Sequence, residues 1–179
     1  CQALADLHTI LEKKGRLEGV RIAFIGDGNN VSRSLALGAA LVGAHLVVAS
    51  PQGYQLDPQT LSLAQRLAKA TGGRVEQVVS PQEAAQDADV LYTDVWTSMG
   101  QEAEARQRQK AFQGYIIDSA LLSLARQDAI VMHDLPAHRG EEITDEVIEG
   151  PQSVVFDQAE NRRHAQKAAL EFLIQQSFP

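Results

Sequence analysis

In the run Asp94-Val95-Trp96-Thr97-Ser98-Met99-Gly100-Gln101-Glu102 a carboxylate, a hydroxyl and a glycine follow a short apolar segment, Val90-Leu91-Tyr92. The apolar segment reads as a buried strand, and a strand ending in such polar groups faces a crevice rather than a core. Asp94 is suited to an ammonium group. Ser98 and Gln101 have capping-box spacing, which places Ser98 at a helix start. Backbone N–H groups at Met99 and Gly100 would then suit a carboxylate. Trp96 is the only tryptophan, and core packing is its expected role.

Two further strand ends carry polar groups. Gly26-Asp27-Gly28-Asn29-Asn30 follows the strongest apolar run and opens a helix. A dinucleotide motif needs a third glycine where Val31 stands and an acid after the second strand, where Ala49-Ser50 stands, so a nicotinamide site is not expected. Asn29 can cap the helix. The Asn30 amide can donate to a carboxylate. Asp94, Asn30 and the helix start at Ser98 together fit the zwitterionic end of an amino acid.

The third strand end is His133-Asp134-Leu135-Pro136-Ala137-His138-Arg139-Gly140-Glu141-Glu142, after Ile130-Val131-Met132. Imidazole and guanidinium here can hold a phosphate or polarise a carbonyl. The spacing of His133, Asp134, His138 and the glutamates matches no standard metal site, so none is expected. Glu141, Glu142, Asp145 and Glu146 read as a solvated helix start favoured by the dipole. Glu160-Asn161-Arg162-Arg163-His164 opens the last helix, where one arginine can reach an anion at the same sheet edge; for either arginine a surface salt bridge is the alternative. The absence of G-x-S-x-G argues against a serine hydrolase with a nucleophile elbow.

These groups need a scaffold that gathers strand ends. Strand-like runs at 20–25, 45–50, 75–79, 90–93 and 130–133, with a possible last strand at 153–156, alternate with helical patterns at roughly 2–14, 31–43, 58–71, 81–87, 100–112, 118–126 and 158–175. Asp57-Pro58 and Ser80-Pro81 each offer a cap followed by Pro at the first helical position. Gly43 and Gly72-Gly73 close helices. Continuously apolar strands separated by helices imply a doubly wound, mainly parallel α/β sheet covered on both faces, in a single domain. The first helix presents Leu4, Leu7 and Leu11 on one face; the last presents Ala165, Ala168, Ala169, Phe172 and Leu173. These faces either pack on this domain's own sheet or bridge to a second domain.

The 179 residues are 44% apolar and 22% charged, as in a globular domain, and no apolar stretch reaches the length of about 18 residues that spans a membrane. The net charge of −7 argues against nucleic acid as a partner. One cysteine, Cys1, excludes an internal disulfide and fits a cytoplasmic protein. Opening on Cys1 directly into a periodic apolar segment suggests a start in mid-protein.

The set Gly26-Asp27-Gly28-Asn29-Asn30, Asp94-x-Trp96-x-Ser98-Met99-Gly100, His133-x-Leu135-Pro136 and Glu160-Asn161-Arg162 resembles ornithine carbamoyltransferase. The resemblance runs from Gln2-Ala3-Leu4-Ala5-Asp6 to the last helix. Aspartate carbamoyltransferase shares the fold but is expected to lack D-x-W-x-S-M-G. The resemblance implies transfer of a carbamoyl group from carbamoyl phosphate to the side-chain amine of L-ornithine, giving L-citrulline and phosphate, within arginine biosynthesis. It implies a homotrimer or a multiple of trimers and no metal or organic cofactor. It places Asn30, Asp94, Ser98 and the Met99 backbone at the ornithine α-amino and α-carboxylate groups. Gln2, as the last residue of a His-Pro-x-Gln element, the Leu135 backbone and Arg162 would contact carbamoyl phosphate.

Two departures stand out. The His-Pro of that element and the phosphate-binding half with its Ser-x-Arg-Thr loop are not in this sequence, so the chain resembles only the ornithine-binding domain, with helices 1–14 and 158–179 expected to pack towards the other. Asp134 stands where the family has Cys, beside the ornithine side-chain amine. Its carboxylate can take a proton from that ammonium or hold it charged, so Asp134 and His133 are the candidate catalytic groups. Two other readings remain: a non-catalytic amino-acid-binding module of this fold, or a carbamoyltransferase for another amine such as putrescine.

Overall fold

The chain alternates strand and helix, and each strand runs parallel to its neighbours. The computed structural model describes residues 1–98, 100 and 102–177. Its strands are β1 (Arg21–Ile25), β2 (His45–Ala49), β3 (Arg74–Val78), β4 (Val90–Thr93) and β5 (Ile130–His133), in the order β3-β2-β1-β4-β5. The helices are α1 (Gln2–Lys14), α2 (Asn30–Leu41), α3 (Pro58–Thr71), α4 (Pro81–Ala85), α5 (Ala105–Ala111), α6 (Ser119–Leu122), α7 (Asp145–Ile148) and α8 (Val155–Ser177). The chain moves outwards from β1 through β2 to β3, then returns to the other side of β1 for β4 and β5. Strand order therefore reverses between β1 and β4, which opens a crevice beyond their carboxyl ends.

Successive strand residues feed opposite faces of the sheet. Ile22, Phe24, Leu46, Val48, Tyr92 and Met132 belong to one core. Ala23, Ile25, Val47, Ala49, Leu91 and Val131 belong to the other, with Phe112 and Ile117. The helix starts follow the expected chemistry. Asp57 accepts from the Thr60 N–H at 2.9 Å, and Ser80 accepts from the Glu83 N–H at 3.2 Å.

Several expectations need correction. The apolar run at 153–156 is not a strand: Ser153 forms an isolated bridge to Val131 and α8 begins at Val155. A four-residue apolar run does not distinguish a strand from a buried first helical turn. The helix expected from 100 is a short 3₁₀ turn, Glu102–Glu104, followed by α5, whose N-cap is Glu104 and not Ser98. The pattern at 118–126 shrinks to α6, and the helix start expected from Glu141 comes later, at α7.

The terminal helices differ from the sequence reading as well. α1 buries Ala5, Asp6, Leu7, Thr9 and Ile10, while Leu4 and Leu11 are exposed. α8 packs on α1 and β5, with Gln158 and Asn161 near its start bonded to Asp6 and Thr9 of α1. Its distal half leaves Leu170 and Phe172 each 61% exposed and Ile174 57% exposed. No helix among the described residues is long and apolar enough to cross a membrane.

Candidate functional site

The β1 and β4 strands are bolted together just below the crevice: Thr93 Oγ1 donates to the Ile25 carbonyl at 2.6 Å. Beyond β1 the chain turns through Gly28, whose N–H donates to the Tyr54 carbonyl at 2.7 Å. A Cβ on Gly28 would lie 2.3 Å from the Gln55 carbonyl carbon, so this close backbone approach needs glycine. Asn29 then caps α2. Its Oδ1 accepts from the Val31 and Ser32 N–H groups at 2.9 and 3.2 Å. Its Nδ2 donates to Asp94 Oδ2 at 2.6 Å. Asp94 Oδ1 accepts from the Val95 N–H at 2.7 Å. The capping asparagine thus also fixes the buried Asp94 carboxylate, while its neighbour Asn30 is exposed at the crevice.

Asn30, Asp94, Ser98 and Asp134 line one cleft of about 840 Å³, together with Thr97 and Arg139. Three strand ends meet there, as the sequence grouping anticipated. Met99 and Gln101 lie outside the described residues. Asp134 is 14% exposed at its side chain, and its Oδ1 has no hydrogen-bond partner among the described residues. Burial, and then the negative charge of Asp94, pushes its carboxyl up to about 9. Both effects favour the protonated form of Asp134 beside Asp94.

His133 does not reach this cleft. Its ring is fully buried, its Nδ1 accepts from the Leu135 N–H at 2.9 Å, and its Nε2 lies 3.1 Å from Glu142 Oε1. Because Nδ1 is an acceptor, Nε2 carries the proton and donates it to Glu142. The same Glu142 oxygen accepts from the His138 N–H at 2.5 Å. Glu142 is thus a buried anchor, not part of the solvated helix start; only Asp145 and Glu146 occupy the first turn of α7, behind the Thr144 cap. His138, Glu141 and Glu142 do bring one donor atom each within 4.8 Å of one another, although Glu142 is already committed to His133 and His138. Leu135 has φ 56, and its N–H is spent on His133, so its backbone can offer a ligand the carbonyl.

Gln2 and Arg162 come together from opposite ends of the chain: Arg162 Nη1 donates to Gln2 Oε1. Arg162 and Asp134 line an adjoining open cleft of about 690 Å³. Arg163 makes a surface pair with Glu160 at 2.8 Å. Asn161 is buried and ties α8 to α1, donating to Thr9 Oγ1 at 3.0 Å and Glu12 Oε2 at 2.7 Å.

Two elements of the site had no signal in the sequence. Arg108 on α5 is buried, donates to Asp27 Oδ2 at 2.6 Å and to the Trp96 carbonyl at 3.0 Å, and lies over the Tyr54 ring. It ties the turn after β1 to the segment after β4. Burial raises the Asp27 carboxyl despite this partner. Asp6 is fully buried below Gln2, where burial pushes its carboxyl up to about 6 against the hydrogen bonds of Gln2, Gln158 and Tyr92. Trp96 stacks on Phe112 with ring centres 5.8 Å apart, in the core role expected of it.

Residues 18–173 match the family model described as aspartate/ornithine carbamoyltransferase, Asp/Orn binding domain. An ornithine carbamoyltransferase of Acidothermus cellulolyticus is 61% identical over 174 residues, covering 97% of this chain and 56% of that protein. One from Thermococcus kodakarensis is 55% identical over 97% of this chain and 55% of its own length. The structure of the Pyrococcus furiosus ornithine carbamoyltransferase superposes with a TM-score of 0.91 at 54% identity, over 95% of this chain and 54% of that one. The anabolic enzyme of Campylobacter jejuni superposes at 0.92 with 38% identity, over 98% and 58%. The chain thus spans about half the length of the relatives it matches. With the sheet order, the crevice and these matches in agreement, the chain belongs to the aspartate/ornithine carbamoyltransferase family, as its Asp/Orn-binding domain.

Proposed function

We propose that this chain is the amino-acid-binding half of an ornithine carbamoyltransferase, transferring carbamoyl from carbamoyl phosphate to the side-chain amine of L-ornithine. The observation that carries the reading is the cleft in which Asn30, Asp94, Ser98 and Asp134 converge from three strand ends. The α-ammonium group would pair with Asp94, held for it by Asn29. Asn30, Ser98 and the Met99 backbone would receive the α-carboxylate. Gln2, Arg162 and the Leu135 carbonyl would face carbamoyl phosphate in the adjoining cleft.

The neutral side-chain amine attacks the carbamoyl carbon, a C–N bond forms, and the C–O bond to phosphate breaks. Donors aimed at the carbonyl oxygen stabilise the charge that develops there. Juxtaposing the two ligands supplies much of the remaining advantage through effective molarity. The amine must lose a proton, and in this reading Asp134 would take it once a cationic ligand has driven its own proton into solvent. His133, whose ring nitrogens serve Leu135 and Glu142, would position the loop rather than touch substrate.

The exposed Leu170, Phe172 and Ile174 on α8, with Leu4 on α1, fit packing against a carbamoyl-phosphate domain outside this sequence. Trimeric assembly, a cytoplasmic location and a role in arginine biosynthesis belong to the same reading.

The isolated 179-residue chain should form no citrulline, whereas the protein of the relatives' length should. Titration with norvaline, ornithine and putrescine tests the site: an α-amino acid site binds norvaline, and binding of putrescine alone would overturn the reading. In the longer protein, a large rise in kcat for Asp134→Cys would show that Asp134 is no productive base.

A further inference from the structure

We infer that Asp6, buried beneath the two clefts, is a positioning residue that orients the Gln2 and Gln158 side-chain amides and so holds Arg162 and the turn after β5 in one arrangement. The inference rests on the proposed placement of Gln2 and Arg162 at carbamoyl phosphate. Asp6 Oδ1 accepts from Gln2 Nε2 at 2.7 Å and from Gln158 Nε2 at 2.8 Å. Its Oδ2 accepts from the Tyr92 hydroxyl at 3.0 Å. An ionised carboxylate only accepts, so both amides must turn their NH₂ groups inwards. Their carbonyls are thereby forced outwards. That of Gln2 receives Arg162, and that of Gln158 receives the His133 N–H at 2.9 Å. One buried charge thus sets the polarity of two chains of hydrogen bonds, one ending on Arg162 and the other on the His133 backbone at the end of β5.

The groups facing Asp6 define how acid would act on it. From α8 comes Arg162, from β4 the neutral Tyr92 phenol, and from the turn after β5 the Asp134 carboxyl; α1 itself supplies Gln2. Arg162 is the cation that favours the ionised form, and burial opposes it. A protonated Asp6 no longer dictates which end of Gln2 it receives, so Arg162 loses Gln2 as a fixed acceptor and keeps Gln166 beside it on α8.

The test uses the protein of the relatives' length. Asp6→Asn should raise the KM for carbamoyl phosphate about tenfold at mildly alkaline pH, the scale of one charge-assisted hydrogen bond, with a smaller change in the KM for ornithine. The wild-type KM for carbamoyl phosphate should also climb on acidification through about pH 6, and Asp6→Asn should lack that step while keeping the ligand's own ionisation. Tyr92→Phe removes one donor to the ionised form and should move the step to higher pH, which keeps the test open if Asp6→Asn fails to fold. A wild-type protein without carbamoyl transfer would overturn the functional reading together with this inference. An active protein in which neither variant moves the step or separates the two KM values would overturn this inference alone.

Discussion

Asp27 and Asp94 are both buried, and they follow adjacent strands at the same edge of the sheet, yet they meet opposite surroundings. Asp27 finds the Arg108 guanidinium at 2.6 Å, from its own chain. Asp94 finds the neutral amide of Asn29 and, across the cleft, a second carboxyl at Asp134. The first acid is a closed ion pair that staples two loops. In the second, two acids share a cleft whose lining arginine, Arg139, is paired with Asp145 and Glu149 instead. Burying a charge is tolerated only when it is paired or when the group keeps its proton. Burial and the charge of Asp94 favour the second course for Asp134, and a cationic ligand would convert it to the first. That contrast separates the structural half of the crevice from the half suited to binding.

The largest effect should come from breaking the closed pair. Arg108→Met leaves Asp27 buried without its cation and should cost about 3–5 kcal/mol, or roughly 10 °C in Tm, in denaturant and thermal melts. A melt that does not move would show that the pair is no staple. Asp94→Asn should act on the other side, lowering norvaline affinity by about ten- to a hundredfold, the scale of a lost charge-assisted hydrogen bond, with a smaller loss of fold stability. Equal damage to fold and binding would erase the distinction between the two acids.

Read per pH unit, the smallest effect concerns the proton on Asp134. Its carboxyl sits near 9 when folded against an ordinary 3.8, so between these values the folded chain keeps a proton that the unfolded chain sheds. Stability therefore falls as pH rises across that window, by at most about 1.4 kcal/mol per pH unit, and the full cost is present only above the folded value. Asp134→Asn carries no such proton, so denaturant melts from about pH 5 to about pH 9 should show the variant gaining steadily on the wild type. A constant difference would mean that Asp134 is already ionised beside Asp94.

What could be read along the chain was whatever depended on near neighbours in sequence. β4, β5, α1 and α3 follow from apolar runs, Asp57-Pro58 and Gly72. Asp94, Ser98 and Asp134 stand out along the chain because each follows an apolar strand. Asn29 was identified as a possible cap, but its second bond to Asp94 spans 65 residues and left no local trace. Glu142 was misread because a run of acids after a polar loop looks solvated; its burial depends on His133, nine residues earlier and at the end of a different element. Arg108 and Asp27 are 81 residues apart, and Asp6 meets Gln158 across 152. No spacing rule connects such pairs.

The sequence by itself therefore determined the alternating strands and helices, the parallel sheet and the polar residues delivered to its carboxyl edge, because periodicity and capping are properties of a few consecutive residues. Only the tertiary structure decided which of those polar residues neutralise one another and which line the cleft together. Charge compensation acts between side chains brought together by strand order, and it is strong only once water has been excluded around them.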